Sequence, residues 1–144
     1  MMNLIKLCVG ADSVDDLRAW IDYRVAQRRA NGQPGEQFHT TRMFPKRADE
    51  IIGKGSLYWV IKGRVQCRQP IVDIRPFVDA EGIKRCDIVL EPVTILTRQV
   101  PKRPFQGWRY LKPEEAPADL SMTLDDSPEM PAEMRAELSE LGLI

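Results

Sequence analysis

Apolar residues at regular spacing predict a strand and an amphipathic helix at the start of the chain. Residues 3–9 are mostly apolar, which is typical of a buried strand, and Gly10 then permits a turn. Ser13, followed by an acidic residue three positions later, resembles a capping box, in which the hydroxyl satisfies free backbone amides. The helix is expected to run to about Ala30 and to bury one stripe, formed by Val14, Leu17, Trp20, Ile21 and Val25.

The middle of the chain carries the alternating pattern of β-strands. Strands are predicted over residues 56–62, 64–77, 85–90 and 93–100, after an extended segment over 38–44 and a short helix over 46–52. These strands follow each other too closely for helical crossovers, so we expect an α+β protein built on a small mixed or antiparallel β-barrel with flanking helices. Its interior is expected to hold Leu57, Trp59, Ile61, Val72, Ile74, Ile88 and Leu90.

The end of the chain differs in composition from the strands before it. Residues 101–112 are rich in Pro, Arg and aromatic residues and are expected to form a structured loop or a short helix. Residues 113–128 are acidic and rich in turn residues, which predicts an irregular arm, and Pro131 suits the first turn of a final helix. We expect residues 1–112 to form the barrel domain, and residues 113–144 to be an acidic arm and C-terminal helix packed on the same domain.

The 21 basic and 21 acidic residues balance overall but are divided unevenly along the chain. Residues 42–112 carry fifteen Lys and Arg against seven acids, a surplus of eight positive charges. Residues 113–144 carry one Arg against nine acids, a surplus of eight negative charges. Such a division is typical of polyanion-binding proteins with acidic tails, and equally of a basic domain onto which its own acidic segment folds. The sequence leaves both interpretations open.

The composition argues against several classes of protein. No run of about 18 apolar residues is present, so we expect no membrane-spanning helix and no membrane partner. Cys8, Cys67 and Cys86 are odd in number and far apart, which favours reduced thiols and a cytoplasmic location. His39 is the only histidine and the cysteines lack Cys-x-x-Cys spacing, which argues against a metal site. Glycine-rich phosphate motifs are absent, so we expect no cofactor and identify no catalytic residue.

Aromatic residues interleaved with cations are the clearest candidates for binding chemistry. Aromatic rings stack bases and guanidinium groups hold phosphates, so this mixture is typical of single-stranded nucleic-acid binding. The candidate nucleic-acid-binding residues are Arg42, Lys46, Arg47, Lys62, Arg64, Lys102, Arg103, Trp108, Arg109 and Tyr110. Trp59 alternates in phase with two apolar neighbours and is better explained as core. For Trp108, core packing and base stacking are equally compatible with the sequence.

Several segments carry a resemblance to a known family. They are residues 3–10 (NLIKLCVG), 41–50 (TRMFPKRADE), 55–63 (GSLYWVIKG) and 103–111 (RPFQGWRYL). In these segments the chain resembles an uncharacterised family of short alphaproteobacterial proteins, a domain of unknown function. The likeness covers nearly the whole chain and implies no particular activity.

A second resemblance is to the PUA-like superfamily, including its ASCH and EVE branches. In that superfamily a short helix leads into a strand that begins after a glycine, and further strands close a small barrel. Residues 47–63 followed by residues 70–74 are similar in order. This resemblance implies a PUA-like barrel with a cleft that binds RNA or a modified nucleobase.

The leading functional hypothesis is therefore a binding module for RNA or a modified nucleobase. One alternative is a protein-interaction domain that uses the acidic C-terminal helix. Another is a small metal-independent nucleotide-acting enzyme that would use Asp73, Asp87 or His39, although no spacing among these residues supports it. Nothing in the sequence sets the oligomeric state.

Overall fold

A computed structural model describes residues 1–120, in which helices and strands alternate at first and strands then follow one another. In chain order the elements are β1 (Asn3–Leu7), α1 (Val14–Ala30), β2 (Gln37–Thr41), α2 (Ala48–Ile51), β3 (Ser56–Ile61), β4 (Arg64–Val78), β5 (Lys84–Leu90), β6 (Ile95–Pro101), β7 (Trp108–Leu111) and a 3-10 turn (Pro113–Glu115). The chain is therefore an α+β protein. The final helix that the sequence predicts from Pro131 lies outside the described residues.

Helix α1 begins where the sequence predicts it. Ser13 is extended, and its Oγ accepts a hydrogen bond of 3.1 Å from the backbone N–H of Asp16. Acidic residues in the first turn and two arginines in the last turn complement the helix dipole. The stripe of Val14, Leu17, Ile21 and Val25 is buried against the sheet, as expected.

Trp20 does not belong to that buried stripe. Its side chain is 47% exposed, so the prediction that it packs in the core is wrong. At 3.6 residues per turn, Trp20 lies about 100° around the helix from the middle of the stripe. The indole therefore projects from the flank of α1, near the C-terminal end of β1.

The strands form one seven-stranded mixed sheet in the order β2-β5-β4-β3-β1-β7, with β6 also paired to β4. Strands β1 and β3 are parallel, and the other pairs are antiparallel. The long strand β4 organises the sheet, because its first half pairs with β3 and β6 and its second half pairs with β5.

The expected closed barrel is not what forms. A barrel closes only when its end strands pair with each other, whereas β2 pairs with β5 and β7 pairs with β1. These two end strands share no hydrogen-bonded register among the described residues, so the sheet stays open. A second expectation is also wrong. The sequence predicts a loop or short helix over residues 101–112, whereas Trp108–Leu111 form strand β7.

The sheet separates two apolar clusters. Side chains of successive residues point to opposite faces of a strand, and both faces of β3 are covered, so all six of its residues are buried. Leu57, Trp59 and Ile61 pack in the larger cluster beneath α1 and α2, while Tyr58 and Val60 pack in the smaller cluster on the other face. This confirms the alternation predicted for this strand.

Six of the seven residues expected in the interior are buried, and Val72 is the exception at 46% exposure. Ile71 pairs with Leu90 and Asp73 pairs with Val89, so Val72 is an extra residue in β4. Such a bulge shifts the alternation by one position. Ile74 therefore returns to the core and Val72 points to solvent.

The start of the acidic arm contacts the sheet. Arg68 holds the Asp119 carboxylate through two hydrogen bonds of 2.9 and 2.7 Å, and the backbone N–H of Arg98 donates to the Ala118 carbonyl at 2.9 Å. Leu120 is buried. This forked arginine–carboxylate pair fixes residues 118–120 against β4 and β6.

Candidate functional site

A cavity of about 270 Å³ lies between the end of β1, the first turns of α1, and β2. Its walls include Lys6, Cys8, Trp20, Gln37, His39 and Trp59. We call it the Trp59 cavity. Its volume is close to the lower end of the range for small-molecule sites, and it combines aromatic walls with a few polar groups, as such sites do.

Lys6 reaches the cavity because of the register of the parallel pair β1–β3. Leu4 lies beside Leu57 and Lys6 beside Trp59, and both β1 residues share the face that carries the larger core cluster. No carboxylate within residues 1–120 pairs with the Lys6 ammonium. Partial burial lowers the pKa of Lys6 from its ordinary value, with a smaller opposing effect from Cys8.

A chain of buried amides lies behind the cavity, and its last member, Gln37, lines the wall. The Trp59 indole Nε1 donates to Gln69 Oε1 at 2.8 Å, and Gln69 Nε2 donates to Gln37 Oε1 at 2.9 Å. Gln69 Nε2 also donates to the Glu91 carbonyl at 2.9 Å. Both glutamines are 98% or more buried. Gln37 Nε2 has no acceptor among the described residues, so this buried amide presents an unsatisfied donor.

His39 closes the cavity beside Trp59. The two ring centroids are 5.4 Å apart and the rings are nearly perpendicular, which is a favourable aromatic geometry. Burial is the main reason that the pKa of His39 falls to about 4, and the positive charges of Lys6 and Arg24 lower it further. The imidazole is therefore neutral at neutral pH and offers one donor and one acceptor.

Trp20 forms the mouth of the cavity. Its ring is exposed, and the Arg24 guanidinium lies 4.5 Å from the ring centroid, one turn along α1. At this distance the guanidinium and the ring attract each other. The mouth therefore presents an aromatic face together with a positive charge.

The cavity does not bring together the groups that the enzymatic alternative requires. Burial raises the pKa of the Cys8 thiol to about 11, so the thiol is protonated and poorly nucleophilic. Asp73 accepts hydrogen bonds from Ile74 N and Arg75 Nε, and Asp87 accepts one of 2.6 Å from Thr40 Oγ1. Neither aspartate lines the cavity. In the part of the chain that the structure describes, no three His, Cys, Asp or Glu side chains are placed to hold a metal ion.

The ten predicted nucleic-acid-binding residues fall in several places, and the first group lies at the turn between β3 and β4. Lys62 pairs with Asp12 at 3.7 Å, and Arg64 lies opposite Pro101 at the end of β6. The backbone N–H of Lys102 donates to the Gly63 carbonyl at 2.8 Å. Lys62, Arg64 and Lys102 are thus neighbours at one end of the sheet, and Arg103 follows them, exposed.

The second group lies around the end of β7. The Tyr110 hydroxyl accepts a hydrogen bond of 3.2 Å from the Arg47 backbone N–H, and the exposed Arg47 side chain pairs with Glu50 at 2.6 Å. Arg42 and Lys46, on the same segment as Arg47, are exposed.

Trp108 lies beneath this second group, with its ring centroid 5.0 Å from that of Tyr110, whereas Arg109 lies on the opposite face of the sheet. Trp108 is 8% exposed and donates from Nε1 to the Met43 carbonyl at 2.8 Å, so its ring packs in the larger core cluster. Arg109 pairs across the sheet with Ile5 and lies over the Phe105 ring at 4.7 Å, on the face of the smaller cluster. Of the two aromatic residues considered for stacking, Tyr110 is the more exposed.

Apart from His39, which the enzymatic alternative names, the residues that form the Trp59 cavity are not among the sequence-based candidates. One signal for it is present in β1, where Lys6 alternates in phase with Leu4 and Cys8 and so occupies a core-facing position. A lysine at such a position is rarely buried without a purpose or a partner. The amide chain has no comparable signal, because Gln37 and Gln69 meet only through the sheet.

The fold and this site define an α+β protein with an open mixed sheet and one small, donor-lined aromatic cavity as its candidate site. The chain belongs to the family described as "Protein of unknown function (DUF1489)", whose family model matches residues 4–144. Comparison with curated proteins and with solved structures gives no match. The PUA-like resemblance therefore stays a prediction. Within residues 1–120 no helix has the length and apolar character needed to cross a membrane.

Proposed function

We propose that this protein is a binding module for RNA or a modified nucleobase, and that one unpaired base occupies the Trp59 cavity. The observation that supports this most is the combination of two tryptophan rings with a buried amide donor and a lysine that have no acceptor or carboxylate partner within residues 1–120. Unstacked bases are bound by aromatic side chains and hydrogen-bonded along their edges. The cavity offers both kinds of contact.

The size of the cavity favours a base over a larger group. A volume of about 270 Å³ is below the usual range for drug-sized ligands. The exposed Trp20 ring at its mouth is available to stack on a ring that enters. A relationship to PUA-like proteins remains part of this proposal, because members of that superfamily bind RNA or modified bases in a cleft.

Cations near the cavity suit a phosphate backbone that leads to it. Arg24 lies against Trp20 at the mouth, and Lys62 pairs with Asp12 in the loop that follows β1. The β3–β4 turn continues this positive charge through Arg64 and Lys102. A single strand whose base enters the cavity would have its phosphates within the field of these residues.

The first test compares two aromatic residues of α1. Replacing Trp20 by Ala should weaken binding of a short single-stranded RNA by about 1–3 kcal/mol, because one base loses its stacking partner. Tyr23→Ala is the matched control, since Tyr23 is 60% exposed on the same helix and does not line the cavity. Fluorescence anisotropy with labelled oligonucleotides measures both. Equal losses in the two variants would contradict a base in the cavity.

The second test is the dependence of binding on salt. If about four phosphates are neutralised, the logarithm of the affinity should fall with the logarithm of salt concentration at a slope of about −3, from about −0.7 per phosphate on a single strand. Arg103→Ala should reduce this slope by a fraction of a unit, whereas Trp20→Ala should leave it unchanged. A slope near zero would show that the positive surplus of residues 42–112 does not contact phosphates.

A further inference from the structure

We infer that the Trp59 cavity selects bases with a carbonyl oxygen at the position that faces Lys6 and Gln37, O4 of uracil or O6 of guanine, over bases with an amino group at that position, N4 of cytosine or N6 of adenine. This inference rests on the proposed function and names the class of base. It follows from the orientation of the buried amides, from a lysine without a carboxylate partner in residues 1–120, and from the position of the acidic residue at the mouth.

The hydrogen-bond partners of Gln37 determine which atom of its side-chain amide is the oxygen and which is the nitrogen. An indole N–H can only donate, so the Gln69 group bonded to Trp59 must be its oxygen. The Gln69 nitrogen then donates to both the Glu91 carbonyl and Gln37, which makes the bonded atom of Gln37 its oxygen. The Gln37 NH₂ group is thereby left over as a donor.

Gln37 lines the Trp59 cavity, and we place its free NH₂ group there. Gln37 and His39 are two residues apart in β2, so their side chains share one face of the strand, and both line the cavity. The intervening Phe38 points the other way, towards Arg28 of α1. A buried N–H without an acceptor is costly, and O4 of a bound uracil or O6 of a bound guanine would satisfy it.

Lys6 adds a second donor with the same requirement. Its ammonium has three N–H groups, cannot accept a hydrogen bond, and has no carboxylate partner in residues 1–120. Asp16 is the acid that lines the cavity, but it is exposed at the mouth and its Oδ2 already accepts from the Asp12 backbone N–H at 3.1 Å. The cavity is therefore rich in donors, and an amino group facing Lys6 and Gln37 would leave donors opposed to donors.

Uracil and cytosine provide the sharpest comparison, because they are similar in size and share O2. Uracil has a carbonyl oxygen at C4 and an N–H at N3, whereas cytosine has an amino group at C4 and an unprotonated N3. Labelled hexamers of uridine and of cytidine should be titrated at about pH 7 and low salt. We expect the uridine hexamer to bind at least about tenfold more tightly, since a matched pair of base-edge hydrogen bonds discriminates by about that factor or more.

Two variants test the groups that cause this preference. Gln37→Glu keeps the oxygen that accepts from Gln69 and replaces the NH₂ donor by an acceptor, and Lys6→Met removes the ammonium while keeping the stem. In either variant the preference for uridine should fall to about twofold or less. Gln33→Glu and Lys54→Met are the matched controls, since both residues are exposed and outside this cavity. Because the two variants are independent, the inference can still be tested if one of them fails to fold.

The outcomes separate this inference from the proposed function. Tight binding of both hexamers with equal affinity would overturn the inference and leave the proposed function standing. A uridine preference that persists unchanged in folded Lys6→Met and Gln37→Glu proteins would also overturn it, because the cause would lie elsewhere. No binding of either hexamer, nor of guanosine and adenosine hexamers, would overturn the proposed function itself.

Discussion

Replacing Gly55 by Ala should destabilise the protein by at least about 3 kcal/mol. A Cβ at this position would lie 1.9 Å from the backbone carbonyl oxygen of Met2, a distance that requires the backbone to move. Gly55 is also held on both sides, because its N–H donates to the Ile51 carbonyl at 2.8 Å and its carbonyl accepts from Ile71 N at 3.0 Å. Urea unfolding followed by far-UV circular dichroism measures the loss.

Gly53→Ala is the matched control for this prediction. Gly53 has a positive φ of 71° but nothing within 4 Å of its added Cβ. Its cost is the left-handed conformation alone, about 1–2 kcal/mol. If the Gly55 variant proved as stable as the Gly53 variant, the close approach of the chain start to the beginning of β3 would be wrong. Met2 directly precedes β1, so this contact adjoins the β1–β3 pairing that places Lys6 in the cavity.

Acid should weaken the fold through His39 before most carboxylates are protonated. The pKa of His39 is about 4 in the folded protein, against about 6.5 when unfolded. Between these values the unfolded chain binds a proton that the folded chain does not, so stability falls as the pH decreases. The contribution is fully present above about pH 6.5 and is lost by about pH 4, with a total of about 2–3 kcal/mol after allowance for solvent near the cavity mouth.

The matched measurement uses the His39→Gln variant. Urea unfolding at about pH 7 and about pH 4.5 should show a smaller loss of stability in this variant than in the parent, because the uncharged amide does not titrate. The carboxylates contribute equally to both proteins and cancel in the difference. Identical losses in the two proteins would show that His39 is protonated as readily in the folded state as in the unfolded state.

The elements with local signals could be predicted from the sequence. Strand β3 alternates Leu57, Trp59 and Ile61 with a second apolar set, and both sets are buried as that pattern requires. Helix α1 starts at its Ser13 cap and buries four residues at helical spacing. These features depend on neighbours within a few residues, which the sequence displays directly.

The features that depend on distant pairing could not be predicted in this way. The bulge at Val72 comes from how β4 pairs with β5, and the short strand β7 exists because it pairs with the N-terminal strand. Closure into a barrel would have required β2 to meet β7, and neither strand carries a signal for or against that contact. Burial of Trp108 follows from the same long-range placement.

The candidate site depends even more on contacts between residues that are distant in the sequence. The cations and aromatic residues that are near each other along the chain lie in three places in the structure: the β3–β4 turn, the end of β7 and the opposite face. The Trp59 cavity instead joins Lys6, Trp20, Gln37 and Trp59 from four separate elements. Only the lysine in an apolar strand is visible beforehand.

Photo-cross-linking tests the central claim most directly. A single-stranded RNA hexamer that contains 4-thiouridine would be irradiated with the protein at low salt, and the cross-linked peptides identified by mass spectrometry. We expect cross-links at Trp20, His39 or Trp59, and their loss when unlabelled uridine hexamer competes. Cross-links confined to Tyr110 and the surface around it, with the cavity residues unmodified, would contradict the account.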